Sequence, residues 1–208
     1  MKTNILLTGG SGLLGIELQK YLNVDAPTHG ELDITNITAK NIAEYGNPKI
    51  IIHCAAYTDV VGAKEEKEEC FRINVFGTKE LIQRFAPDKF IYISSEYAFN
   101  PTNFYAWSKK AAEEQVKRYI PKYLIIRTSF VSKPFPHEFA FFDQYTQGDY
   151  IDVIASMIAH EILKDTIGEI YVGTKRKTMF ELARLTNPDI KAISVDDIKT
   201  VKLPHDYE

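Results

Sequence analysis

The chain has 208 residues, 45% of them hydrophobic and 25% charged, which is enough apolar side chain for a sizeable core within one domain. A formal net charge of -3, with "TKRK" at 174–177 as the single short basic cluster, excludes the clustered Lys and Arg that binding to a phosphate backbone requires. No apolar run is long enough for a bilayer, "MKTNILLTGG" is too short for a secretory core, and Cys54 and Cys70 sit in apolar stretches where free thiols act as small hydrophobes, as in a reducing cytoplasm.

In chain order, "NILLT" at 4–8 predicts a first strand, and "GGSGLLG" follows at once. Gly9, Gly12 and Gly15 stand between that strand and an apolar helix, where a turn free of Cβ atoms lets backbone amides approach a pyrophosphate. Without that context three glycines are only a turn in some α/β protein. Further continuous apolar runs at 49–56, 89–95 and 122–127 have the pattern of parallel strands covered on both faces. Between them, Phe71, Val75, Ile82 and Phe85 share one face of a helix over 68–86, with "KEEKEE" at 64–69 as its solvated start. The alternation predicts a doubly wound parallel sheet with right-handed crossovers.

Texture changes from about residue 131. "KPFPHEFAFFDQYTQGD" is aromatic, proline-rich and polar; a helix follows over 150–164 and a short strand in "EIYVG". Thr178 and Glu181 have the spacing of a capping box, which opens another helix. The reading is a single domain over 1–208, with 131–208 as a small lobe. "TKRK" reads as a solvated loop. Five histidines and two cysteines show no metal-ligand spacing.

One pair carries chemistry. In "FYAWSKKAAEE", Tyr105 and Lys109 are four residues apart on one predicted helical face, so the phenol and the ammonium reach one point. A nearby cation lowers a tyrosine pKa towards a range useful for proton transfer. The spacing alone is common to solvated helices. Just upstream, "YISSEYAF" puts Ser94 and Ser95 at the carboxyl end of a strand, where parallel sheets bind ligands.

Taken together, "TGGSGLLG", "HCAAYTDV", "RINVFGT", "ISSEYAF" and "FYAWSKKAAEE" resemble the extended short-chain dehydrogenase/reductase superfamily, a Rossmann-type fold. Within it, "ELDITN", "AAYTDV", "SSEYAF" and "IRTSF" are most similar to the dTDP-4-dehydrorhamnose reductases. The resemblance runs through about the first 130 residues. It implies an NAD(P)H-dependent reductase of a nucleotide-activated 4-keto-6-deoxy sugar, in which Tyr105 gives a proton to the sugar C4 oxygen, Lys109 holds the nicotinamide ribose and depresses the tyrosine pKa, and Ser95, rather than Ser94, bonds the carbonyl oxygen. It further implies that Gly9, Gly12, Leu13 and Leu14 meet the pyrophosphate, Asp33 and Ile34 the adenine, and Ala55, Ala56, Tyr57 and Thr58 the ribose and nicotinamide. Tyr105 and Lys109 touch the cofactor as well. Asn74 and Phe130 are implied on the substrate side: Asn74 braces the site, and Phe130 stands where these reductases usually carry tryptophan.

Both NADP and NAD stay open. "DAPTHGELD" offers Thr28 and His29, and no carboxylate, where an acidic residue would grip an adenosine ribose. That favours NADPH, although no arginine stands there. The chain is shorter than these reductases between Ser95 and Tyr105, and again after "RTSFVSKPF" before Asp143 and Gln144, both on the substrate side. The closing "VKLPHDYE" resembles a motif near the family's C-terminus. Glu96 and Tyr97 lie where epimerising relatives carry cysteine, so a 3,5-epimerase step falls to a partner protein; a homodimer is the other association considered. Two alternatives remain: a non-catalytic nucleotide-binding regulatory subunit of the same fold, and a nucleotide-sugar epimerase or dehydratase.

Overall fold

The structure, a computed structural model, describes residues 3–199 and 203. Its centre is an all-parallel sheet in the order β1 (Ile5–Thr8), β2 (Ile50–His53), β3 (Lys89–Ile93), β4 (Tyr123–Arg127) and β5 (Gly168–Tyr171). Beyond β1 the chain adds one parallel bridge, Leu6 with Asp25. The chain therefore leaves β1 towards that flank through α1 (Leu13–Leu18) and returns to the other through α2 (Ala39–Tyr45). β1 is the point where the winding reverses, and ligands of open α/β sheets bind at the carboxyl ends of strands beside such a point.

Register explains why the strands read as unbroken apolar runs. Leu7, Ile52, Ile91 and Leu124 pair in one row across the sheet. They share a core with Leu14 and Leu18 of α1 and with Ile151, Ile154 and Ile158 of α6 (Ile151–Leu163). One residue earlier, Leu6, Ile51 and Phe90 form the row on the opposite face, packed with Leu81, Ile82 and Phe85 of α4 (Thr78–Phe85) and Val116 of α5 (Phe104–Tyr119). Each such buried side chain contributes about 2 kcal/mol.

The helix expected over 68–86 is three pieces: α3 (Lys67–Phe71), a π-helical stretch over Arg72–Gly77, and α4. Val75, Ile82 and Phe85 are buried as the periodicity requires, while Phe71 is half-buried against the Phe104 ring, centroids 5.6 Å apart. The wider turn adds Asn74 and Thr78 to the buried face; such bulges recur at functional sites.

The region expected as one lobe from 131 divides in two. α6 and β5 belong to the sheet, because the apolar face of α6 covers it and β5 pairs with β4. The remainder is held by three short ladders: Phe130–Val131 with Asp149–Tyr150, Phe139–Phe141 with Lys191–Ile193, and Tyr145–Thr146 with Lys177–Thr178. They surround a separate cluster of Phe135, Ala140, Tyr150, Leu182, Ala183 and Ile190. The capping box forms at the start of α7 (Met179–Arg184): Thr178 Oγ1 accepts from the Glu181 amide and the Glu181 carboxylate from the Thr178 amide. "TKRK" is more than a solvated loop. Lys177 donates to the Gly148 carbonyl at 2.9 Å and pairs with Asp149 at 3.2 Å, and Arg176 lies 3.7 Å from the Tyr145 ring centroid. Of "VKLPHDYE", only Leu203 falls within the described residues. No helix among the described residues is long and apolar enough to cross a membrane.

Candidate active-site cleft

Gly9 leaves β1 with φ 73°, a backbone conformation that side chains disfavour. A Cβ there would lie 2.6 Å from the Ala55 amide nitrogen, and one on Gly15 would lie 2.2 Å from the Gly9 carbonyl oxygen. The turn is thus pressed against the end of β2, with Gly12 N–H donating to Gly9 O at 3.0 Å. No side chain caps the start of α1. Farther along, the Asp33 carboxylate accepts from the Thr35 amide and hydroxyl, both at 2.8 Å. Burial raises the Asp33 pKa, but the Thr35 bonds and the nearby His29 and Arg72 charges carry it below its ordinary value. Arg72 donates to the Thr35 hydroxyl and, at 2.7 Å and 2.6 Å, to Glu69.

The far end is built by α5. Asn103 accepts from the Ala106 amide at 2.9 Å and caps the helix, which fixes Tyr105 in its first turn and Lys109 one turn later. The helix stops at Ile120, which is extended because Pro121 follows. Lys109 is 3% exposed; its Nζ donates to the Ile93 carbonyl at 2.7 Å and stands 4.4 Å from the centre of the Tyr92 ring. Burial pulls its ammonium down to about 8. Tyr105 is half-buried, edge-on to Tyr97 with centroids 6.3 Å apart. Burial raises its phenol well above the ordinary value, and a hydrogen bond with Ser95 acts in the opposite direction. The expected lowering of the tyrosine by Lys109 is therefore not the net outcome, since desolvation prevails and the ammonium is engaged by Ile93 and Tyr92. The result still suits an acid, because a raised pKa keeps the phenolic proton on oxygen at neutral pH.

Gly9, Gly12, Leu13, Leu14, Asp33, Ile34, Ala55, Ala56, Thr58, Ser95, Tyr105, Lys109 and Phe130 all line one cleft of about 720 Å³, within the range of small-molecule sites. Ser94 lines it as well. Two residues expected at the site do not. Tyr57 donates its hydroxyl to Glu66 at 2.9 Å and does not line the cleft, although its neighbours in the wall, Ala56 and Thr58, do. Asn74, expected on the substrate side, is buried behind that wall. Its Oδ1 accepts from the Tyr57 amide at 2.8 Å, and its Nδ2 donates to the Ser108 hydroxyl at 2.8 Å, which bonds in turn to the Tyr105 carbonyl at 2.7 Å. It joins the wall to α5 without facing the cleft. Behind it runs a buried chain, Thr8 to His53 at 2.7 Å and His53 to Thr78 at 3.0 Å.

Several lining groups were not assigned to the site from the sequence, among them Arg72, Thr128, Ser129 and Cys54. Arg72 reaches the Asp33 end beside His29, so an arginine is present there after all, delivered from a distant helix rather than from the second strand. Thr128 and Ser129 were legible only as part of "IRTSF". Cys54 lines the cleft too, but burial pushes its thiol up to about 12, which leaves it protonated.

The model of the RmlD substrate binding domain matches residues 2–159. A dTDP-4-dehydrorhamnose reductase of Mycobacterium tuberculosis is 29% identical over 153 residues, 61% of this chain and 50% of the relative. The Aggregatibacter actinomycetemcomitans protein of the same name is 27% identical over 198 residues, 83% of this chain and 67% of the relative. Among solved structures, dTDP-4-dehydrorhamnose reductase from Bacillus anthracis in complex with NADP superposes with a TM-score of 0.85 at 28% identity, covering 100% of this chain and 90% of that one. The chain spans about half the length of the mycobacterial relatives. With the match extending from β1 through most of α6, and with the sheet order and cleft that accompany it, the chain belongs to the RmlD substrate binding domain family.

Proposed function

We propose that the chain is a reductase of a nucleotide-activated 4-keto-6-deoxy sugar, of the dTDP-4-dehydrorhamnose kind, using NADPH in preference to NADH. The observation that carries this reading is that Ser95, Tyr105 and Lys109 line the same cleft as the glycine turn. The cradle fits a dinucleotide: Cβ atoms at Gly9 and Gly15 would strike backbone, so the turn keeps its amides clear for a pyrophosphate. The solved Bacillus anthracis relative contains NADP.

When bound, the reduced nicotinamide supplies a hydride to the carbonyl carbon. The carbonyl oxygen then needs one proton, which Tyr105 holds on its raised phenol. Ser95 stabilises the developing oxyanion by hydrogen bonding. Lys109 holds the ribose and offsets the charge left on the phenol. Asp33 and Ile34 take the adenine, Arg72 and His29 favour a 2'-phosphate beside it, and Phe130 faces the sugar. Glu96 is buried between the Thr146 and Tyr171 hydroxyls at 2.9 Å and 2.8 Å and does not line the cleft, so a 3,5-epimerase step is assigned to another protein. Free Cys54 and Cys70 suit a cytoplasmic setting.

Cofactor oxidation with a panel of nucleotide 4-keto-6-deoxy sugars tests the reading. Turnover is expected, falling about 10²–10⁴-fold in Tyr105→Phe with NADPH binding kept. Bound NADPH without turnover on any sugar would overturn the reductase in favour of the non-catalytic subunit.

A further inference from the structure

The helix that carries Tyr105 and Lys109 carries a third polar residue on the same face. Glu113 follows Lys109 by the same four-residue step as Lys109 follows Tyr105, and it is 0% exposed. Arg127 grips it with two nitrogens along one edge of its guanidinium, Nε donating to Oε1 at 2.8 Å and Nη2 to Oε2 at 2.6 Å. The Ser94 hydroxyl donates to Oε1 at 2.7 Å, and Lys110 reaches Oε2 at 3.2 Å.

The partners belong to separate walls of the cleft. Ser94 lies between Ile93, whose carbonyl holds Lys109, and Ser95, which bonds Tyr105. Arg127 ends β4 and leads directly into Thr128, Ser129 and Phe130, which line the cleft. It continues to Glu169 of β5 at 2.7 Å and covers the Phe99 ring at 4.8 Å. One carboxylate thus ties α5 to the ends of β3 and β4, without facing the cleft itself.

We propose that Glu113 is a positioning residue: through Ser94 and Arg127 it fixes the α5 face bearing Tyr105 and Lys109 against Ser95 and the Thr128–Phe130 wall. This rests on the reductase reading above. A buried ion pair is a weak stabiliser, and a well-packed apolar pair often serves the fold as well or better; geometry and charge at the site give this one a use beyond stability. Lys109 is faced by His53 at the end of β2 and Cys54 just after it, Cys70 of α3, Tyr92 of β3, and Glu113 on its own helix. Burial lowers the lysine, while Cys54, Glu113 and Cys70 act to raise it. Glu113 is the carboxylate of this set.

Two variants separate positioning from stability. Glu113→Gln keeps the shape and removes the charge, and the double variant Glu113→Leu/Arg127→Met replaces the pair by apolar side chains. Melting temperature, NADPH affinity by fluorescence, kcat and KM over pH, and the titration of Lys109 by side-chain nitrogen NMR are read for each. The double variant should fold and bind NADPH within about fivefold of the parent, yet lose about ten- to a hundredfold in kcat with the sugar KM little changed, as a displaced reacting group would. Lys109 should titrate lower in Glu113→Gln. Should that variant fail to fold, Ser94→Ala, which removes one of the bonds, and the double variant carry the comparison. A double variant with parental kcat, or an unmoved lysine titration in folded Glu113→Gln, overturns the proposal. Absence of turnover in the parent overturns the reductase reading instead, and the lysine titration still decides whether Glu113 acts on Lys109.

Discussion

The sheet and the ladders beyond residue 130 are stabilised by different means. In the sheet, paired rows such as Leu7, Ile52, Ile91 and Leu124 fill one core while Leu6, Ile51 and Phe90 fill the other, and buried polar groups such as Thr8, His53, Ser94 and Arg127 sit at the carboxyl ends of the strands, with Lys89 paired to Asp165 at the opposite end of β3. In the ladders the strands are two or three residues long, and hydroxyls do much of the fastening. Tyr150 bonds the Leu182 carbonyl at 3.0 Å and Thr186 at 2.5 Å, Thr186 accepts from the Phe135 amide at 3.0 Å, and Thr146 bonds Glu96. On the reductase reading proposed above, the sheet is the base for the nucleotide, and the ladders, fastened by individual polar contacts, are the place for differences in sugar recognition.

The largest expected effect falls on the sheet side. Gly9→Ala places a Cβ 2.6 Å from the Ala55 backbone at a φ of 73°, and neither the turn nor the end of β2 has room to yield. Fluorescence titration should show NADPH affinity falling more than about a hundredfold, a loss of about 3 kcal/mol. Gly46→Ala is the control, with φ 64° but nothing within 4 Å of the new Cβ; it should cost only about 1 kcal/mol of stability. Unchanged NADPH binding in Gly9→Ala would remove the glycine turn from the cofactor site.

A second effect appears with pH. Burial holds Lys109 at about 8, so the ammonium is charged below that value and discharges above it. Tyr105, raised by burial, keeps its proton across the same range. The kcat/KM for reduction should therefore be flat below about pH 8 and fall about tenfold per unit above it. A profile level to pH 10 would show that the ammonium charge is not needed. Smaller again is Arg72→Ala. Its guanidinium is already shared with Glu69 and Thr35, so NADPH should weaken by about five- to twentyfold and NADH by less than about twofold. Equal weakening of both would mean that Arg72 shapes the adenine end without sensing a 2'-phosphate.

The same contrast decides what the sequence could reveal. Strands buried on both faces read as continuous apolar runs, so β1 to β4 were legible, as was the helix bearing Tyr105 and Lys109. The ladders were not, because pairs such as Lys191–Ile193 with Phe139–Phe141 are too short for a period-two pattern and join distant segments. In the cleft, residues fixed by local chain geometry were found from their motifs. Arg72 was missed because a helix whose start lies far along the chain carries it to Asp33, and Glu113 because its partners Ser94 and Arg127 come from other elements. Tyr57 and Asn74 show the limit of a motif: it puts them near the site and fits Asn74 as a brace, but which way each side chain turns depends on Glu66, on Ser108 and on the π-helical stretch that carries Asn74.

The smallest effects offer the sharpest form of the comparison, since each region contains a fully buried tyrosine whose hydroxyl can be removed with little change of shape. Tyr150, 3% exposed, has two partners for its hydroxyl. Tyr92, 1% exposed, has none among the described residues, although its ring takes the Lys109 ammonium. A buried hydrogen bond is worth about 1 kcal/mol, and an unmet buried polar group costs about as much or more. Tyr150→Phe should therefore lower the melting temperature by about 2–6 °C, while Tyr92→Phe should raise it by about 2–4 °C, at the usual scale for a chain of this size. Because phenylalanine keeps the ring under Lys109, Tyr92→Phe should leave kcat within about twofold. A fall in stability for Tyr92→Phe as large as that for Tyr150→Phe would mean that the Tyr92 hydroxyl is satisfied, and that the sheet relies on single polar contacts as much as the ladders do.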